Sequence, residues 1–167
     1  MKIKQEKLIK KFLIEEFEEE KGLSLYHNQT IKLNFLIDNI RDKTKNQRKT
    51  LINTILPRIA LYKMLEESDI DEALSYEYVR KYMTNFVASK KHSSMVKIEK
   101  VPGFYTIYRN IFLKIMRKTD LQKSIQEKGK NYFNVTITKC LWHTACVENG
   151  CPNLCPLFCD VDDITYG

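Results

Sequence analysis

All five cysteines of this chain fall in its last 28 residues, at Cys140, Cys146, Cys151, Cys155 and Cys159. A thiol can act as a nucleophile, a metal ligand, half of a disulfide or a small apolar packing group. The spacing narrows this choice. Successive cysteines are separated by five, four, three and three residues, so no C-x-x-C pair is present. Zinc ribbons, thioredoxin-like pairs and the ferredoxin run all require that pair, so no metal site is expected. An odd number of cysteines excludes complete internal disulfide pairing.

The last three cysteines lie in CPNLCPLFCDVDD. A helix capped by Asn153 would hold Pro156 in its first turn, where a missing N–H costs nothing. Cys159 then sits in the second turn, and Asp162 and Asp163 follow at plus three and plus four on the same face. A thiol and one or two carboxylates thus share one surface. A carboxylate raises a thiol's pKa and does not activate it. It can orient a base, hold an amidine group or carry a proton. His143 is the only histidine near the cysteines in sequence, and it is the candidate base. The candidate catalytic residues are therefore Cys159, Asp162 and His143, and the candidate substrate-binding residues are Asp163 and Cys140. Cys146, Cys151 and Cys155 read most simply as packing thiols, and Trp142 as a packing anchor.

The elements that must position these residues follow from hydrophobic period. Ile3, Leu8, Ile9, Phe12, Leu13 and Phe17 mark one face of a helix over 2–20, with Gly22 as its stop. Residues 30–40 read as a second helix or an extended apolar segment. A helix over 46–67 is expected to kink or restart at Pro57. Ser68 or Asp69 caps the next helix, which runs to about 89. Residues 90–103 read as a loop with a short strand at 95–98. Phe104 to Met116 mark an apolar helix to about 118, and a short helix covers 120–128 and ends at Gly129. Alternation over 132–139 then signals a strand. A two-turn helix follows, stopped by Gly150. One strand needs partners. Residues 23–27 and 94–99 are the candidates, unless the partner lies beyond Gly167. The fold class is α+β: a mostly helical first two-thirds, about 1–128, packs on a small cysteine-rich β/α portion, about 129–167, in a single domain.

With 43% hydrophobic and 29% charged residues, and only 5 Gly and 4 Pro, the chain is globular rather than fibrous or disordered. No apolar run is long enough for a membrane span, and the charged N-terminus lacks a signal-peptide core, which sets a cytoplasmic location as the expectation. The net charge is +7, with +9 carried by residues 1–119 and −2 by residues 120–167. The lysines alternate with glutamates as on solvated helix faces. The one tight basic cluster, RDKTKNQRK (41–49), lacks interleaved aromatics. This argues against a nucleic-acid partner and leaves the oligomeric state open.

The segment TKCLWHTACVENGCPNLCPLFCDVDD resembles the signature of the L-2-amino-thiazoline-4-carboxylic acid hydrolase family. That pattern is a strand ending in Cys140, a short helix, Gly150, Pro152-x-Leu154, and Cys159-x-x-Asp162. LPRIALYKMLEE (56–67) with DIDEAL (69–74) is similar to the family's helical half, so the resemblance spans most of 50–163. It implies a hydrolase acting on a C–N bond of a small cyclic amidine or amide, without a cofactor. In the named activity, the aminothiazoline ring becomes N-carbamoyl-cysteine. Only Cys159 and Asp162 carry over by motif position. The family continues with further strands, which implies that this chain stops short of them. Three other readings stand beside the hydrolase: a non-catalytic small-ligand or sensor domain of the same scaffold, a cysteine metal or redox module, and a basic nucleic-acid binder.

Overall fold

A computed structural model describes residues 5–130 and 132–166, without the side chains of 115–118 and 166. Ile3, Asn131 and Gly167, and the side chains of Ile115 and Met116, lie outside the described residues. Among the described residues the fold is α+β and mostly helical, with one two-stranded antiparallel sheet near the C-terminus.

Helices α1 (Glu6–Phe17) and α2 (Glu19–Asp38) form a tight hairpin. The break falls at Glu18, which takes a left-handed φ of 65°. Gly22 is not a stop. It lies inside α2, where a Cβ would come within 2.6 Å of Ile14 Cα and of Leu13 O. The glycine is there because the two backbones touch. Residues 30–38 belong to α2, the helical option of the two expected.

Helix α3 (Lys45–Thr50) starts on a capping box between Thr44 and Gln47. It passes into a π-helical turn, Leu51–Ile55, and restarts as α4 (Leu56–Glu66) with Pro57 in its first turn. The expected restart at Pro57 is therefore present. A π-turn leaves backbone carbonyls without their usual helical partner. Gln5 Nε2 donates to two of them, Asn53 O at 3.0 Å and Thr54 O at 3.4 Å. Helix α4 is buried on nearly every side, as its apolar run dictates.

The cap of α5 (Glu72–Lys81) is Asp71, whose carboxylate accepts from Ala73 N at 2.9 Å, rather than Ser68 or Asp69. A second π-turn, Tyr82–Ala88, leads straight into α6 (Ser89–Ile98). The expected loop over 90–98, with its short strand, is thus helical. Its serines are compatible with a helix because their hydroxyls turn inward: Ser93 Oγ donates to Ser89 O at 2.9 Å. Phe12, Tyr82 and Phe86 form an aromatic cluster between α1 and the second π-turn.

Helix α7 (Phe104–Lys118) matches expectation. Residues 120–128 do not. They form strand β1 (Gln122–Lys128), which pairs antiparallel with β2 (Phe133–Cys140) and has a bulge at Lys123/Ser124. The partner of the isolated strand is the segment just before it, and 23–27 and 94–98 are helical. Gly129 is the hairpin turn; its N–H donates to Tyr132 O at 2.9 Å. Helix α8 (Leu141–Glu148) ends at Gly150, which has φ 66°. A 3-10 turn, Pro152–Leu154, then leads into α9 (Cys155–Tyr166). Asn153 lies within that turn and does not cap α9. Its Nδ2 donates instead to Tyr62 Oη at 3.0 Å, tying the start of α9 to α4.

One buried cluster unites these parts: Phe12, Leu13 and Leu33 of the hairpin, Ile59 and Leu61 of α4, and Leu154, Leu157 and Val161 of the C-terminal portion. The basic cluster is bolted to the base of the sheet. Asp120 accepts from Thr44 and from Asn46 Nδ2, and Lys43 Nζ meets Glu148 at 2.8 Å.

Candidate active site

Helix α9 begins where the Asn153–Tyr62 hydrogen bond fixes the chain, and its period decides what it presents. Leu157, Phe158 and Val161 face the core, which turns Cys155, Cys159 and Asp162 toward one side. The hairpin brings Cys140 to the same place, because the register pairs Cys140 with Gln122 at the base of the sheet. Thr54 of the first π-turn, Arg58 of α4 and Lys91 of α6 close the far wall. Together these residues line a cavity of about 210 Å³. Larger hollows, up to about 480 Å³, lie elsewhere, but none of those described contains a cysteine.

Of the sequence candidates, Cys159, Asp162 and Cys140 meet in this cavity. His143 does not line it: it is exposed on α8. Asp163 is exposed one residue past Asp162 and does not line the cavity, though its charge acts on Cys159. Cys146 and Cys151 are buried, as packing thiols should be, and share a hydrogen bond that holds the Cys146 proton firmly in place.

The electrostatics set the chemistry. Partial burial pushes the Cys159 thiol up first, then the neighbouring Cys140 thiol, and then Asp162, Asp160 and Asp163. Cys159 is therefore a protonated thiol at rest. Burial also holds the Asp162 carboxyl above its ordinary range, while Lys91 and Arg58 pull it back down. Asp162 thus stands one helical turn from the thiol, on the same face and in the same cavity, where a carboxylate can accept or return a proton. A direct test is available. Asp162→Asn removes one of the charges that raise the thiol, so Cys159 should alkylate with iodoacetamide roughly threefold faster at neutral pH. Peptide mapping of the alkylated protein would read this site by site. An unchanged rate would show that the two side chains do not sense each other, and a slower one that Asp162 assists loss of the thiol proton more than its charge opposes it.

The sequence reading missed Arg58. It is 4% exposed, and among the described residues its Nε has no hydrogen-bond partner and no carboxylate pairs with it. Its guanidinium lies 5.2 Å from the centre of the Phe158 ring. The available signal was a single charge inside LPRIAL, a run otherwise apolar on all sides.

The profile of the L-2-amino-thiazoline-4-carboxylic acid hydrolase family matches residues 46–167, more than half of the chain and all of this cavity. The chain belongs to that family. No curated protein and no solved structure matches it. The family assignment covers every element that lines the site, from the first π-turn to α9. Among the described residues, no group of three or more His, Cys, Asp or Glu side chains is placed to hold a metal ion, and no helix is long and apolar enough to cross a membrane.

Proposed function

We propose that this member of the family hydrolyses a small cyclic amidine of the 2-amino-thiazoline-4-carboxylate type, with Cys159 as the nucleophile and Asp162 as the proton carrier. The observation that supports it is the placing of Cys159 and Asp162 on one face of α9, opening into a single small cavity within the family-matched segment.

The steps balance as follows. Cys159 Sγ attacks the amidine carbon, C2, and its proton passes to Asp162. The tetrahedral centre collapses, the ring C2–S bond breaks, and the departing sulfur takes the proton from Asp162. The opened substrate stays on Cys159 as an isothiourea. Water adds to the same carbon, the bond to Cys159 breaks, and the thiol regains its proton. One water is consumed, and the product is an N-carbamoyl compound with a free thiol.

This balance corrects the expectation of C–N cleavage. Breaking the exocyclic C2–N bond would release ammonia and leave the ring closed. Breaking the ring C2–N bond would leave the carbamoyl group on sulfur. Only C2–S cleavage gives the N-carbamoyl product. The raised Cys159 thiol favours a second reading, a non-catalytic receptor of the same ligand. Incubation with L-2-amino-thiazoline-4-carboxylic acid separates the two. Hydrolysis through C2–S predicts a product heavier by one water, with one new thiol per turnover. Ammonia release with no new thiol would refute the C2–S route, and thermal stabilisation with no product at all would establish the receptor.

A further inference from the structure

We propose that Arg58 is the carboxylate anchor of this cavity, so that the site selects small ring compounds carrying one carboxylate and one cationic amidine. This rests on the hydrolase reading for the identity of the ring, but the anchor itself stands on Arg58 alone.

A guanidinium removed from water needs a counter-charge or a full set of acceptors. Among the described residues Arg58 has neither at contact distance: its Nε is unpartnered, and no carboxylate forms an ion pair with it. The Phe158 ring offers a face at 5.2 Å, which stabilises a cation without neutralising it. Its electrostatic neighbours are Tyr82, itself buried and uncharged, and Asp162 of the same cavity, which acts on it without forming an ion pair. The cavity therefore holds a buried guanidinium without a direct ion pair, and its fork geometry suits a carboxylate.

The opposite wall narrows the ligand further. Asp162 lines the same cavity, with Asp160 and Asp163 close by on α9. A phosphate or dicarboxylate would meet those acids with its surplus charge. A zwitterion meets both walls: its carboxylate faces Arg58 and its amidinium faces Asp162. The carbon under attack then lies between the two, where Cys159 opens into the cavity.

The test is binding without turnover, by calorimetry on the full chain carrying Cys159→Ala. The probes are L-2-amino-thiazoline-4-carboxylic acid and 2-amino-thiazoline, which lacks the carboxylate. A second pair, thiazolidine-4-carboxylate and thiazolidine, lacks the amidine. With Arg58 present, each carboxylated probe should bind roughly 10- to 100-fold tighter than its carboxylate-free partner, the usual weight of a hydrogen bond to a charged group. Arg58→Met should reduce that preference to near unity, and Arg58→Lys should keep part of it. A merely structural arginine would weaken all probes alike. A folded Arg58→Met protein that keeps the preference, or an intact site with no preference, overturns the anchor. Should the methionine variant not fold, an undiminished preference in Arg58→Lys overturns it equally. Failure of the hydrolase reading looks different: the wild type turns nothing over, while both carboxylated rings still bind in an Arg58-dependent way.

Discussion

Replacing Cys159 by serine is expected to lower turnover of L-2-amino-thiazoline-4-carboxylic acid by on the order of 10³-fold or more, with the fold intact. The reasoning is local. Cys159 is exposed, so the change of sulfur for oxygen disturbs no packing. A serine hydroxyl holds its proton far more tightly than a thiol, and Asp162 is not basic enough to remove it. Steady-state rates with circular dichroism as the fold control would read the result. Full activity in Cys159→Ser would end the nucleophile assignment and pass the attack to water. The same assay on His143→Gln separates the two views of that histidine. Activity should survive, because His143 is exposed on α8 and does not line the cavity.

The largest expected effect on stability lies far from the thiols. Gly22→Ala should lower stability by about 2–3 kcal/mol, because the added Cβ overlaps backbone rather than a side chain that could turn away. Its nearest neighbours would be Ile14 Cα and Leu13 O, both at 2.6 Å. Alanine's better helix propensity returns about 1 kcal/mol at most, which does not reverse the sign. For a chain of this size the melting temperature should fall by roughly 4–10 °C. Gly129→Ala is the contrast: the nearest atoms to its new Cβ would be those of the Tyr132 ring, which is largely exposed and can swing aside. Equal stability for wild type and Gly22→Ala would mean that α1 and α2 can separate without loss.

These two positions also show where sequence reasoning holds. The registry of Cys159 with Asp162 was legible because it depends only on helical period, and a first-turn proline marks where α9 can begin. Gly22 was misread because a glycine's local meaning, a stop, differs from its tertiary one, a backbone crossing. Residues 89–98 were hidden because their serines look like loop residues until their hydroxyls are seen to bond back to the preceding turn. The strand over 122–128 has one large apolar residue, Ile125, which is itself exposed, so neither a helical nor a strand period was strong. Arg58 was overlooked for a different reason. Which way a charge inside an apolar helix points, and whether anything answers it, is decided by α9, about a hundred residues away.

Gln5 joins the two π-turns: its amide nitrogen serves the carbonyls of the first, and its oxygen accepts from Tyr82 Oη, at 3.2 Å, at the start of the second. Gln29 of α2 likewise donates to Pro57 O, at 3.1 Å, next to Arg58. Both glutamines precede residue 46, where the family match begins. The stretch matched by the family profile is therefore shorter than the stretch that shapes the cavity. The matched residues line the site, but the helical hairpin that holds the backbone at Asn53, Thr54 and Pro57 lies before the match begins.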